Sequence, residues 1–257
     1  MEDRIVLEAK HMKKIYNFGT TNEFEALHDI NFQVHNGEFI AIMGPSGSGK
    51  STFINNISTI DQPTQGAVKI NGIDTRKMSG NQIGKFRYEN LGFIFQDFNL
   101  LDTHTMYENI AMPLSLAHVN KDEIRTRVSA MAEQMNILHL LEKYPNQCSG
   151  GQRQRGAICR ALINHPNIIV ADEPTGNLDS RNSSELMEIF HDLNEEDSVT
   201  IVMVTHDALI ASYSSRLIFI KDGNIEQELE KGTLSQDEYF QKIVEINSSE
   251  SREILNK

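Results

Sequence analysis

Apolar and polar positions along the chain follow two rhythms. Phe39-Ile40-Ala41-Ile42-Met43, Leu91-Gly92-Phe93-Ile94-Phe95 and Ile168 to Ala171 are short apolar runs, and Val199 to Val204 is a β-run broken only by Thr200, the pattern of strands buried on both faces. Residues 4–10 predict a first strand. Residues 30–34 alternate, and the turn His35-Asn36-Gly37 predicts a hairpin with Phe39–Met43. Asn71-Gly72, between Ala67–Ile70 and Ile73, predicts a second hairpin. Asp222-Gly223-Asn224, between Arg216–Lys221 and Ile225–Leu229, predicts a third. Helical stretches are expected over 51–58, 107–116, 121–141, 150–164, 181–193 and 235–246. Leu186, Ile189, Phe190 and Leu193 share one helical face. Strands alternating with helices predict an α/β fold. Residues 103–165 hold too much helix for one crossover, which predicts an inserted helical subdomain. The last eleven residues are polar and are expected to fray.

Composition narrows the function. The chain has 257 residues and 39% hydrophobic content, enough for one large α/β domain or two small ones. A net charge of −12 weighs against a general nucleic-acid or membrane-surface binder. No run approaches the length of a membrane span. Met1 to Lys10 carries charges and no apolar core, so a signal peptide is not expected. A membrane role is therefore expected to come through a partner chain. Cys148 and Cys159 are separated by roughly 16 Å of helix, too far for a disulfide. Reduced thiols and a cytosolic chain are the expectation. The histidines show no metal-binding spacing.

The chemistry begins at Gly44-Pro45-Ser46-Gly47-Ser48-Gly49-Lys50-Ser51, which matches the phosphate-binding G-x-x-x-x-G-K-[ST] pattern between a strand and a helix. Gly44, Ser46, Gly47, Gly49 and Thr52 belong to a loop and helix start whose backbone N–H groups can face phosphate oxygens. Lys50 can reach the β/γ-phosphates, and the Ser51 hydroxyl can ligate Mg²⁺. The run 168–171 ends in Asp172-Glu173. The first acid can hold Mg²⁺, and the second can polarise an attacking water. Gln96, at another strand end, can ligate Mg²⁺ or orient water. Ser149-Gly150-Gly151-Gln152 opens a helix and reads either as a second phosphate cradle or as an ordinary N-cap. Tyr16, and after it Phe18, could stack on a base or belong to the core. His206 follows a strand and could face the γ-phosphate or be structural.

Taken together, these motifs resemble the ATPase subunit of ABC transporters over nearly the whole chain. Walker A is similar to residues 44–51, the Q-loop glutamine to Gln96, and the signature motif to Cys148-Ser149-Gly150-Gly151-Gln152. Walker B resembles Ile168 to Asp172 followed by Glu173, the D-loop Asn177-Leu178-Asp179, and the H-switch His206. The family usually has Leu where this chain has Cys148. The resemblance implies a P-loop NTPase with a RecA-like core, an antiparallel β subdomain and a helical subdomain near 103–165. An ATPase domain over 1–229 and a short C-terminal extension over 230–257 follow from it. It also implies a head-to-tail homodimer sandwiching ATP and Mg²⁺, with Lys50 of one chain facing Ser149, Gly150, Gly151 and Gln152 of the other. Glu173 would be general base, His206 would steady the γ-phosphate, Tyr16 would stack on adenine, and Ser51, Gln96 and Asp172 would serve the metal. The permease would dock near the Q-loop and the helical subdomain, placing the subunit on the cytoplasmic face of the membrane.

Phe93-Ile94-Phe95-Gln96-Asp97-Phe98-Asn99-Leu100-Leu101 resembles the macrolide-exporter and lipoprotein-release group. Leu100 to Thr103, Met203 to Asp207, Ala211 to Tyr213, Ile218 to Gly223 and Tyr239-Phe240 resemble bacitracin- and lantibiotic-resistance ATPases. Those serve a permease with a large extracellular domain and work with a sensor histidine kinase. Macrolide, lipoprotein and cell-division systems are the alternatives within transport. A non-transport ABC ATPase acting on nucleic acid or ribosomes is the alternative outside it. One Walker A, no sustained heptads and the acidic charge argue against that class, so no nucleic-acid partner is expected.

Overall fold

The computed structural model describes residues 4–255. In chain order its first elements are β1 (Ile5–Tyr16), β2 (Phe24–His35), β3 (Phe39–Met43), α1 (Lys50–Ile57), β4 (Gln65–Ile70), β5 (Ile73–Asp74), α2 (Gly80–Asn90) and β6 (Leu91–Phe95). Next come α3 (Met106–Leu116), α4 (Lys121–Gln134), α5 (Gly150–Leu162), β7 (Ile168–Asp172) and α6 (Ser180–Glu195). The chain ends with β8 (Thr200–Val204), α7 (Ala208–Ala211), β9 (Arg216–Lys221), β10 (Asn224–Glu230) and α8 (Gln236–Leu255).

Two sheets result. The smaller is antiparallel, in the order β2-β1-β4-β5. The larger runs β10-β9-β3-β8-β7-β6, parallel except for β10 at its edge. Strand β3 is the shared wall. Phe39, Ala41 and Met43 enter the core beneath helices α3–α6, while Ile40 and Ile42 enter the core between the two sheets. The period-2 alternation of a strand makes this division.

That position corrects one expectation. β3 does not form a hairpin with β2. It pairs with β8 (Phe39↔Ile201) and β9 (Ile40↔Arg216), while β2 pairs with β1 (Val34↔Leu7). All five β3 residues are buried, which suits a central strand covered on both faces. β2 alternates buried and exposed residues toward its end, so it suits a sheet with one open face.

Other boundaries shift for local reasons. β1 runs past residue 10 to Tyr16 because an irregularity between Ala9 and Met12 absorbs extra residues, with His11 at φ 48°. α4 stops at Gln134, short of 141, as Asn136 turns to φ 55°. α2 went unpredicted because it buries only Ile83 and Phe86. α8 continues to Leu255 where fraying was expected. Ser235 and Glu238 cap its start, and neither Gly nor Pro interrupts it. The final two positions of that expectation lie outside the described residues. The two Asn-Gly and Asp-Gly hairpins form as expected, with Asn71 and Asp222 at φ 51° and 44°.

Helices α3, α4 and α5 are interposed between β6 and β7 and pack on one another. We assign them to the helical subdomain. Among the described residues no helix is long and apolar enough to cross a membrane.

Candidate functional site

The P-loop leaves β3 at Gly44, whose φ is 151°. A Cβ there would fall 2.0 Å from the Ile220 carbonyl oxygen. Backbone cannot yield as a side chain can, so only glycine fits. The loop then turns into α1. Lys50 Nζ donates to the carbonyls of Gly44 and Pro45, each at 2.8 Å. Burial holds the Lys50 ammonium below the usual lysine range, opposed by the nearby Glu173 and Asp172 carboxylates. The Ser48 hydroxyl is buried and finds no hydrogen-bond partner among the described residues. Ser46, Gly47 and Ser51 are exposed, and Thr52 is half-buried. A hollow of about 180 Å³ lies over Gly47, Gly49, Ser51 and Thr52, walled by Phe24 and Ala26.

Tyr16 stands beside this hollow, its hydroxyl 3.4 Å from Thr52 Oγ1. The Lys14 ammonium lies 5.1 Å from the Tyr16 ring centroid and is itself tied to Asp61 at 2.7 Å. That anchored cation favours the ring where it is. Phe18 is 60% exposed and is not part of the wall.

Asp172 closes β7 in register with Phe95 of β6 and Val204 of β8. Gln96 and Glu173 therefore leave the sheet side by side. Burial, then the Glu173 charge, push the Asp172 carboxyl above the usual range, while Lys50 pulls it down. Glu173 adopts φ 49°, a left-handed backbone that costs a non-glycine residue free energy. Its N–H donates to Val204 O at 2.9 Å, and its Oε2 lies 2.5 Å from His206 Nδ1. His206 thus meets the second acid directly. The Gln96 side chain packs on Gly176. Asn177 Nδ2 donates to the Gln96 carbonyl at 3.0 Å and to Asp97 Oδ1 at 2.9 Å, joining the two loops.

Ser149 is the N-cap of α5. Its Oγ accepts from the Gln152 N–H at 3.3 Å, and Gln152 Oε1 accepts from the Ser149 N–H at 3.0 Å. Gly150 sits near the Asn177 carbonyl. A Cβ on Gly151 would fall 2.2 Å from Asn182 Oδ1. Cys148 packs against the larger core, where burial raises its thiol. Both cysteines are free, as expected. Among the described residues, no hydrogen bond or ion pair joins 149–152 to 44–52. The structure thus gathers the P-loop, Asp172, Glu173 and His206, and sets the signature segment against Asn177 and Asn182.

Two features escaped the sequence reading. Phe24 walls the hollow, and the alternation that would reveal it begins inside a polar stretch. Arg160 of α5 donates to Asn99 O at 2.5 Å and Phe98 O at 2.8 Å. Phe98 and Asn99 are consecutive left-handed residues, at φ 62° and 48°, and nothing in their sequence marks the arginine that holds them.

This geometry sits in known company. Residues 27–176 match the ABC transporter family. The ABC transporter ATP-binding protein YvcR of Bacillus subtilis is 46% identical, covering 95% of this chain and 94% of its own. The bacitracin export ATP-binding protein BceA of Halalkalibacterium halodurans is 46% identical over 93% of this chain and 94% of its own. The dimeric post-hydrolysis structure of the ATP-binding cassette MJ0796 from Methanocaldococcus jannaschii, bound to ADP and Pi, superposes with a TM-score of 0.81. It is 41% identical and covers 87% of this chain and 98% of that one. A family match over most of the chain, together with relatives this similar over nearly their whole length, makes this protein a member of the ABC transporter family, an ATP-binding and ATP-hydrolysing cassette.

Proposed function

We propose that the chain powers a membrane permease that exports peptide antibiotics or releases them from their targets, working as a head-to-tail homodimer on the cytoplasmic face. One observation carries the dimer. Among the described residues, Ser149–Gln152 has no hydrogen bond or ion pair to its own P-loop, which suits an arrangement in which a second copy places its signature segment over the nucleotide. Each ATP would lie between Lys50 of one chain and Ser149 of the other. The likeness to BceA supports the bacitracin or lantibiotic assignment.

The residues present suit this chemistry. The buried Ser48 hydroxyl, without a hydrogen-bond partner among the described residues, and the Lys50 ammonium, which donates to loop carbonyls, suit an anion. Ser51, Asp172 and Gln96 are hard oxygen donors of the type Mg²⁺ takes, and an Asp172 carboxyl raised by burial is one a cation would relieve. Bound Mg²⁺ would neutralise charge on the β- and γ-phosphates. Lys50 would hold the same oxygens. Glu173 would accept the proton of the attacking water, and His206, in contact with that carboxylate, would orient it and face the γ-phosphate. Tyr16 would carry the base.

The permease would dock at an apolar cleft. A cleft of about 420 Å³, lined by Tyr88, Leu91, Phe95, Met112, Leu116 and Arg160, opens beside the Gln96 loop and the helical subdomain. To test the reading, tagged Glu173→Gln is trapped with ATP in native membranes and its companions identified by mass spectrometry. Recovery of one permease with a large extracellular domain, and of a sensor histidine kinase, supports antibiotic-peptide resistance. A permease of the macrolide, lipoprotein or cell-division kind reassigns the substrate. Recovery of ribosomes, or of no membrane protein, overturns the transport reading.

A further inference from the structure

We propose that Phe24 is a second base-contacting residue of the nucleotide site, forming with Tyr16 a two-ring platform beside the P-loop. The inference rests on the reading that the base lies at Tyr16. Cross-strand register pairs Tyr16 directly with Phe24, so the two side chains emerge on one face of adjacent strands, within reach of a common ligand. Phe24 is 61% exposed and Tyr16 38%. Exposed aromatic area at the rim of a cavity is unfavourable surface that a planar ligand can cover. Phe24 lines the hollow over Gly47, Gly49 and Lys50, and Phe18, equally exposed, does not. Ala26, the other wall residue, is nearly buried and carries only a methyl group. The ring of Phe24 therefore supplies the apolar area of that wall.

The chemistry sets the ligand class. The Tyr16 ring, held by its hydroxyl contact with Thr52 and by the Lys14 ammonium, presents a π surface. Phe24 adds an apolar wall that carries no hydrogen-bond pattern. Stacking is indifferent to base-edge donors and acceptors. The platform accordingly selects purine over pyrimidine nucleotides by stacking area, and separates adenine from guanine only weakly.

Calorimetric titration of the full chain with ADP, and separately with inorganic tripolyphosphate, tests the contact. Aromatic–base contacts removed by alanine typically weaken binding several-fold, so Phe24→Ala is expected to raise the ADP Kd about fivefold. Tripolyphosphate affinity should stay within about twofold, and Phe24→Trp should keep ADP affinity within about twofold, both well under the tenfold step of 1.4 kcal/mol. Unchanged ADP binding in Phe24→Ala overturns the proposal. So does equal weakening of ADP and tripolyphosphate, which would mean the substitution disturbs the P-loop. Tyr16→Ala is measured in parallel. If it binds ADP normally while Phe24→Ala does not, the stacking role of Tyr16 falls and the Phe24 contact stands. The reverse pattern overturns the Phe24 contact alone.

Discussion

Glu173 joins a proposed catalytic task to an unfavourable backbone, and three substitutions separate the two. Glu173→Gln keeps the side-chain length and the Val204 hydrogen bond but removes the proposed base. General-base catalysis contributes about 10²–10⁴-fold, so phosphate release should fall at least about 100-fold. ADP affinity should change little. Glu173→Ala and Glu173→Gly both lack the carboxylate and the His206 contact, and both should be equally inactive. They differ in how they bear φ 49°. Alanine pays the left-handed cost of about 1–2 kcal/mol. Glycine does not, but its looser unfolded chain costs about 0.4–1 kcal/mol. Glycine should therefore be the more stable of the two by about 0.5–1 kcal/mol. Urea unfolding measures the difference and a phosphate-release assay measures turnover. An alanine variant as stable as the glycine one refutes the strain argument. Turnover of Glu173→Gln near the wild-type rate refutes the base.

Three further outcomes are expected. Asp172 has a folded-state pKa raised above its ordinary value, so the native state holds its proton more tightly than the unfolded chain. Its contribution to stability is therefore most favourable in acid and is lost as pH rises through the folded-state value. Asp172→Asn should melt higher than wild type at neutral pH while losing hydrolysis, and a lower melting temperature would contradict this. Arg160→Met deletes two charge-assisted hydrogen bonds to the left-handed pair Phe98-Asn99. It should cost about 3–6 kcal/mol in urea unfolding, of which Asn99→Gly should recover part by relieving φ 48°. Burial pushes the Tyr239 phenol up to about 12, and its hydroxyl donates to Leu229 O at 3.1 Å. Tyr239→Phe should cost about 1 kcal/mol near neutrality. It should also flatten the loss of stability that wild type shows as pH rises from about 10 toward 12.

What could be read from the sequence was what is written locally. The P-loop, the paired acids and the Asn71-Gly72 turn are decided by neighbouring residues, and the structure places them as expected. Phe39–Met43 was correctly read as a strand and wrongly paired. A five-residue apolar run says that both faces are buried but not against which strands. The start of β2 at Phe24 lies in a polar stretch, so the aromatic opposite Tyr16 went unseen. α2, with two buried apolar residues over eleven, carries too little periodicity to show. The Arg160 grip on Phe98 and Asn99 bridges more than sixty residues, and long-range hydrogen bonds leave no local pattern. The left-handed turn at Glu173 is fixed by the Val204 carbonyl on a neighbouring strand, which again only the fold supplies.

Lys50 donates to the Gly44 and Pro45 carbonyls at 2.8 Å. On the proposed role of Lys50 in holding the β- and γ-phosphates, the loop would be its own rival for them. Two carbonyls would compete with the phosphate oxygens for one ammonium, so part of the attraction between lysine and phosphate would be offset. The same pair of hydrogen bonds would cap affinity and ease departure. A cassette that must empty its site in every cycle would gain more from that arrangement than from the tightest grip its charges could make.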